Sequence, residues 1–307
     1  MPKRLLIAAD VDRTFIERIS ADARFTVRHE PVKTEAELAA AVRDTEVLVT
    51  RAYNKVTRAV LDAAPELQLI AQGTSGTDNI DADAARNRGI PIISLPGENA
   101  NAVAELVIGY LLAMTRTIPQ YTREVVAGVW SRDDCATRHE LRHYRLGIVG
   151  LGEVGRRVAR LARAFSMEVL AYDPYLDAAT FLARDATPVA TLSDLLAAVD
   201  ILTVHVPLTD ATRTMIGAGE IASLRRGSYL VSAARGEIVD QAAALTALRD
   251  GHLAGLAMDV YDPEPPVSGF ADDPRLVLTP HTAGCTHEAK AALGIKLYEK
   301  VAAWVGR

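Results

Sequence analysis

The segment LGIVGLGEVGRRVARLARAFSMEVLAYD, residues 146–173, constrains the fold more than any other part of the chain. Leu146 to Val149 is an apolar run of strand length. Gly150, Gly152 and Gly155 then spell G-x-G-x-x-G, and a helical pattern follows with Val154, Val158, Leu161 and Ala162 on one face. A second strand, Val169 to Tyr172, ends on Asp173. Strand, glycine turn, helix, strand and acid in this order form a unit that receives a dinucleotide. Gly150 permits a tight turn, Gly152 lets backbone approach a pyrophosphate, and Gly155 lets the helix lie close to the strand. The pyrophosphate would sit at the helix N-terminus, where unpaired N–H groups favour an anion. Asp173 lies about 20 residues further on, where an acid accepts hydrogen bonds from the adenosine ribose. A carboxylate there repels a 2′-phosphate, and Pro174 and Tyr175 bring no positive charge, so NAD is expected over NADP.

Around this unit the pattern is α/β throughout. At 307 residues the chain has room for two domains. Strands are expected at 5–9, 47–49, 67–71 and 90–94, with helical patterns between them. Thr34 with Glu37 three residues on is a capping box, and Thr57 to Ala64 is a short helix closed by Pro65. Asn99 to Thr115 is apolar nearly all round and is expected to be buried, between domains or in a subunit interface. Residues 118–144 read as polar and irregular. Strands follow at 145–149, 168–172, 201–205, 228–232, 255–259 and 276–279, and a last helix runs from Thr286 to Trp304. Such alternation implies two doubly wound parallel sheets wrapped by helices.

The bulk numbers exclude several classes. A formal net charge of −5 argues against a nucleic-acid partner, which would need a basic face. The apolar stretch Val103 to Met114 contains Glu105 and is shorter than a bilayer span, so no membrane partner is expected. The opening MPKRLLIAAD reads as a first strand and not as a signal core. Cys135 and Cys285 stand in no metal-ligand spacing and read as free thiols in a reducing compartment. No metal is expected, and the protein is expected to be cytoplasmic.

Three ionisable residues each follow an expected strand: Arg235, Glu264 and His281. In an open parallel sheet the ligand crevice lies outside the carboxyl ends of the strands. A guanidinium, a carboxylate and an imidazole are thereby brought to one rim, beside a nicotinamide. Oxidising a hydroxyl to a carbonyl needs a base for the proton while a hydride leaves carbon, and reduction needs the same group as an acid. Histidine serves both near neutral pH. A neighbouring carboxylate favours the imidazolium, and an arginine can grip a substrate carboxylate with two parallel hydrogen bonds.

Eight strings now point to one family: GTDNID (76–81), PGENANAVAEL (96–106), GIVGLGEVG (147–155), YDPY (172–175), HVPLTDATRTMI (205–216), AARGEIVD (233–240), AMDVYDPEPP (257–266) and LTPHTAG (278–284). The chain resembles the D-isomer-specific 2-hydroxyacid dehydrogenases. The resemblance implies a Rossmann NAD-binding domain, residues 98–284, inserted into a flavodoxin-like substrate domain of residues 1–97 plus 285–307. It implies that Arg235 binds substrate, Glu264 tunes the histidine and His281 is the acid/base. It assigns Glu153 and Val154 to the pyrophosphate, Asp173 to the ribose, and Pro207 and Thr212 to the adenosine side, with His205 and Ala234 also among the cofactor-binding residues. Ala233 and Asp259 fall to the nicotinamide with Gly284 near it, and Arg51, Thr74, Ser75 and Gly76 to the substrate. A homodimer is implied as well.

The chain departs from the family pattern in places. Thr74 stands where a glycine is common, Ala100 and Ala102 interrupt the usual N-T-x-S, and Tyr53 replaces the second arginine of many phosphoglycerate enzymes. These departures favour a small, non-phosphorylated substrate, with the Thr74 hydroxyl offered to a polar substituent. No C-terminal regulatory domain is expected. Phosphoglycerate or another small anion stays open as substrate. So does a non-catalytic NAD-sensing scaffold, since corepressors resembling the family keep the same triad.

Overall fold

The computed structural model describes residues 1–132, 138–267 and 270–306. Cys135 lies outside them, and Cys285 is an exposed free thiol. The chain divides into two compact units, Met1–Asn99 with Cys285–Arg307, and Ala100–Gly284.

The first unit alternates strand and helix: β1 (Lys3–Ile7), α1 (Arg13–Ser20), β2 (Phe25–His29), α2 (Glu35–Ala41), β3 (Val47–Thr50), α3 (Arg58–Asp62), β4 (Leu69–Gln72), α4 (Ala82–Asn87) and β5 (Ile92–Ile93). The strands pair in parallel in the order 2-1-3-4-5, the flavodoxin-like arrangement. β3 and β4 are buried along their whole length, which is why they read as continuous apolar runs. The Thr34 capping box forms, with Thr34 Oγ1 accepting from Glu37 N and Glu37 accepting from Thr34 N.

The second unit opens with two helices, α5 (Ala100–Thr115) and α6 (Ile118–Val126), and a 3₁₀ turn at Leu141–His143. Then come β6 (Arg145–Val149), α7 (Glu153–Ala164), β7 (Glu168–Tyr172), α8 (Ala178–Ala183), β8 (Thr187–Pro188), α9 (Leu192–Ala198), β9 (Ile201–Val204), α10 (Ala218–Ser223), β10 (Ser228–Ser232), α11 (Gln241–Arg249), β11 (Leu253–Met258) and β12 (Leu276–Leu278). Seven parallel strands lie in the order 12-11-10-9-6-7-8. The strand order reverses between β6 and β9, so this is a Rossmann order extended by one strand. The last helix, α12 (His287–Val305), returns to the first unit, where Leu293, Leu297 and Val301 pack with Phe15 and Ile19 of α1.

Three readings need correction. β2 and β8 lack an apolar run because they are edge strands with largely exposed residues. Residues 118–126 are helical rather than irregular. Pro119 suits the first turn of α6, and the apolar residues Ile118, Val125 and Val126 stay exposed, so polarity disguised the helix. α5 needs no second domain or subunit to bury it, because Val107, Leu111 and Met114 lie in the core that also holds Leu146, Val158 and Val169.

The α7–β6 approach is the tightest in the dinucleotide unit. A Cβ on Gly155 would stand 2.2 Å from the Gly150 carbonyl oxygen, a backbone atom that no rotamer change can move. Gly155→Ala should therefore destabilise the protein by about 1–3 kcal/mol in urea unfolding, the usual range for overpacking. An unchanged unfolding midpoint would contradict this packing.

Candidate active site

The carboxyl ends of β6 and β7 are tied together by Asp173. Gly150 N donates to Tyr172 O at 2.9 Å. Leu151 N donates to Asp173 Oδ2 at 3.0 Å, and Tyr175 N to Asp173 Oδ1 at 3.1 Å. The acid expected to face a ribose therefore also fixes the glycine turn. Gly152 caps α7 without a side-chain bond, which leaves first-turn N–H groups open to an anion. A Cβ on Gly152 would meet no atom within 4 Å, so there is space beside that helix end. Glu153 would place a negative charge there. Hydrogen bonds from Arg156 and Arg157, at 2.6 and 2.7 Å, hold its carboxyl down at about 2 and offset that charge. Val154 is half-buried against the unit's core. These residues fit a dinucleotide pyrophosphate.

Further along the rim, His205 follows β9. Its N–H donates to Val149 O at 2.8 Å and its Nε2 meets Thr203 Oγ1 at 2.9 Å. Burial lowers its pKa to about 4, so it stays neutral. Thr212 Oγ1 donates to Pro207 O at 2.6 Å, which joins these two residues in one exposed loop. Ala233 and Ala234 continue from β10, both half-buried. Gly284, half-buried, closes the second unit.

The three ionisable residues meet as the strand pattern implies. His281 Nδ1 lies 2.7 Å from Glu264 Oε2, and Tyr261 N donates to Glu264 Oε1 at 2.9 Å. Burial alone would raise the Glu264 carboxyl. Hydrogen bonds from His281 and Tyr261 N, with the charges of His281 and Arg235, outweigh it and hold Glu264 below its ordinary range. The hydrogen bond to Glu264 raises His281 above 6.5, against burial and the Arg235 charge. Arg235 is half-buried, and its Nη1 donates to Ala234 O at 2.8 Å. Its loop is pressed onto the Glu264 loop, because a Cβ on the next residue, Gly236, would stand 2.0 Å from Tyr261 O.

Asp259, which the resemblance assigns to the nicotinamide, has a second task. Thr282 N and Thr279 Oγ1 donate to its Oδ1, and Ala283 N donates to its Oδ2. It is buried, and its carboxylate organises the loop that carries His281.

In the first unit, Arg51 follows β3 and Thr74, Ser75 and Gly76 follow β4. Buried Gln72 holds this loop, its Nε2 directed at Thr74 Oγ1 (3.1 Å), Gly76 O (2.9 Å) and Asn79 Oδ1 (2.8 Å). The Thr74 hydroxyl accepts from Gln72 inside the loop, and Thr74 itself stays half-exposed. Ser75 Oγ donates to Leu95 O at 2.9 Å. Arg51 N donates to Asn54 Oδ1 at 3.0 Å and Arg51 Nη1 to Asp10 O at 3.1 Å, while the Tyr53 hydroxyl accepts from Asp10 N at 2.8 Å. Arg51 lines a cavity of about 250 Å³ with Asp10, Asp12, Arg13, Gly73 and Lys290. The cavity lies at the carboxyl ends of β1, β3 and β4, around the point where this sheet reverses direction.

Sequence reasoning missed Gln72, Asn79, Gly236, Tyr261 and Thr279. Four of them lie inside the strings GTDNID, AARGEIVD, AMDVYDPEPP and LTPHTAG, and Gln72 lies four residues before the first, but their work is to hold backbone, and spacing does not signal that. Among the described residues no group of three or more His, Cys, Asp or Glu is arranged to hold a metal. No single described helix is long and apolar enough to cross a membrane.

The raised His281 pKa has a checkable consequence. Removing the Glu264 charge removes the contact that favours the imidazolium, so Glu264→Gln should move the NMR titration of the His281 ring to lower pH. An unmoved titration would contradict the contact.

The comparisons with known proteins agree with this geometry. The family model "D-isomer specific 2-hydroxyacid dehydrogenase, NAD binding domain" matches residues 108–283. A D-3-phosphoglycerate dehydrogenase of Methanocaldococcus jannaschii is 37% identical over 273 residues, 87% of this chain and 51% of that protein. The chain thus spans about half the length of that relative. A D-3-phosphoglycerate dehydrogenase of Escherichia coli strain K12 is 35% identical over 305 residues, 97% of this chain and 73% of that protein. The crystal structure of a glyoxylate reductase from Paecilomyes thermophila matches with a TM-score of 0.90 at 28% identity, over 100% of this chain and 96% of that one. With the family's NAD-binding domain matched over more than half its length and a relative 35% identical along nearly all of it, this chain belongs to the D-isomer-specific 2-hydroxyacid dehydrogenase family.

Proposed function

We propose that this protein is an NAD-dependent dehydrogenase that interconverts a small D-2-hydroxy acid and its 2-oxo acid. The observation that carries this reading is the 2.7 Å contact of His281 Nδ1 with Glu264 Oε2 next to Arg235, on the sheet whose glycine turn fits a dinucleotide. NAD, which the glycine turn and Asp173 would hold, would supply the hydride acceptor for C2 in oxidation and, as NADH, the hydride donor in reduction. His281 Nε2 takes the hydroxyl proton as the carbonyl forms and gives it back in reduction. Glu264, held ionised, fixes the ring through Nδ1 and stabilises the imidazolium. The Arg235 guanidinium binds the substrate carboxylate as a fork and polarises the C2 oxygen. In this reading the second unit carries the cofactor and the triad. Residues 1–97 with 285–307 form the substrate domain, where Arg51 and the N–H groups of Ser75 and Gly76 receive an anion.

The raised His281 pKa sets the pH behaviour. Reduction needs the imidazolium, which persists to higher pH than an ordinary histidine would allow. Asp173 favours NAD, since a carboxylate there repels a 2′-phosphate.

Non-phosphorylated 2-oxo acids such as glyoxylate and hydroxypyruvate suit the site, because the Tyr53 hydroxyl is tied to Asp10 where a second arginine would bind phosphate. One observation favours phosphoglycerate as a second reading. Arg13, Arg51 and Lys290 surround the cavity of the first unit, and the curated relatives described above are D-3-phosphoglycerate dehydrogenases. Homodimer formation completes the reading. It is supported by exposed Ile118, Val125, Val126 and Trp130 on and after α6. The exposed Cys285 thiol suits a reducing, cytoplasmic setting.

NADH oxidation with glyoxylate, hydroxypyruvate, pyruvate and 3-phosphohydroxypyruvate tests the reading directly. Turnover of the first two should exceed that of the phosphorylated acid in kcat/KM, and the reverse order would favour the second reading. His281→Asn should bind NADH normally and lose about 10²–10⁴ in turnover. Near-normal turnover would remove His281 from its role. Asp173→Ala should weaken NAD and narrow its advantage over NADP. The loss of NAD affinity should be compounded because Leu151 N and Tyr175 N lose their acceptor. An unchanged kcat/KM ratio for the two cofactors would show that preference is set elsewhere.

A further inference from the structure

His281 has a backbone φ of 53°, in the left-handed region that side-chain-bearing residues rarely occupy. Such a conformation persists only where its surroundings over-determine it. Here His281 N donates to Asp259 O at 2.8 Å and to Thr279 O at 3.1 Å, and the Tyr261 hydroxyl donates to Thr279 O at 2.8 Å. The Asp259 carboxylate takes Thr282 N at 2.8 Å and Ala283 N at 2.9 Å. Its remaining partner is Thr279 Oγ1, and Thr279 Oγ1 also meets the hydroxyl of Tyr110.

The direction of this chain follows from counting hydrogens. A carboxylate already receiving two N–H groups accepts again, so Thr279 donates its one hydroxyl hydrogen to Asp259. Thr279 can then only accept from Tyr110, and Tyr110 must be the donor. Burial pushes the Tyr110 phenol up, so the donor keeps its hydrogen. Tyr110 lies in the middle of α5, is 2% exposed, and belongs to no part of the site described above.

We infer that Tyr110 is a positioning residue for His281: its hydroxyl orients Thr279 so that Thr279 and Asp259 together lock the 279–283 backbone with the imidazole facing Glu264. The inference rests on the reading of His281 as acid/base. It gives a residue of the buried helix α5 a specific task, which an apolar side chain of the same size could not perform. Without its donor, Thr279 is held by its bond to Asp259 alone, and the loop loses one of the constraints around the left-handed residue.

The experiment compares Tyr110→Phe, Thr279→Val, Thr279→Ser and His281→Asn with the unaltered protein. It follows reduction of hydroxypyruvate by NADH across pH, with NADH affinity read by fluorescence. Tyr110→Phe and Thr279→Val should each lower kcat about tenfold, the scale of a small misplacement of a reacting group, with NADH affinity held within about twofold. Their kcat–pH profiles should move to lower pH as His281 loses part of its contact with Glu264. The charged groups around the ring, Glu264, Arg235 and Asp259, are all retained in these variants. Thr279→Ser keeps the hydroxyl and should restore kcat and profile. Wild-type kcat and profile in both Tyr110→Phe and Thr279→Val, with His281→Asn inactive, would overturn the positioning role and leave the reading of the site standing. A fall in kcat with no shift of the profile would also overturn it, since that is what a merely structural residue does. Normal turnover by His281→Asn would overturn the reading of the site itself, and this inference with it.

Discussion

For His281 Nδ1 to come within 2.7 Å of Glu264 Oε2, two loops that leave neighbouring strands must meet. Parallel strands end with their carboxyl groups on one side, so β11 and β12 deliver both loops to the same rim without any further device. The pairing then has to be made accurate. Gly236 lets the Arg235 loop lie against the backbone of Tyr261. The Tyr261 N–H directs one oxygen of Glu264, leaving the other for the imidazole. The buried carboxylate of Asp259 gathers the N–H groups that follow His281. A histidine–glutamate pair that reaches solvent is therefore held by groups that mostly do not.

The cofactor side obeys the same economy of backbone. One carboxylate, Asp173, terminates β7 and receives N–H groups from the glycine turn and from Tyr175. The residue that would select the cofactor thereby also shapes the loop that would hold its pyrophosphate. The helix end stays available because Gly152 offers no side chain to cap it, and because the arginines one turn along take up the charge of Glu153. In the first unit, amides replace charges in this role. Gln72, Asn79 and Asn54 hold the loops of Thr74–Gly76 and Arg51 by side-chain bonds to backbone and to one another.

Much of this was legible in the sequence, for identifiable reasons. The glycine turn is legible because Gly150 needs a positive φ, Gly155 has no room for a side chain, and Gly152 keeps the helix end clear. Arg235, Glu264 and His281 are legible because each follows an apolar run that must be a strand. Central strands such as β3, β4 and β9 announce themselves by being buried on both faces. Edge strands β2 and β8 do not, since one side meets solvent. α6 was hidden because its apolar face is left uncovered among the described residues. The supporting residues were hidden for a different reason. Tyr110 acts through a contact with Thr279, 169 residues away, and Gln72 through side-chain bonds to the loop just after it, and local pattern carries no trace of either.

The central claim is that His281 and the bound nicotinamide act together on C2 of a D-2-hydroxy acid. Transfer of the label from NADH carrying deuterium on the reactive face of its C4 to hydroxypyruvate tests it most directly, with product chirality and label position read by NMR after derivatisation. The account predicts glycerate of the D configuration bearing one deuterium at C2, and loss of that labelled product with His281→Asn. Unlabelled product, L-glycerate, or labelled D-glycerate formed equally well by His281→Asn would contradict it.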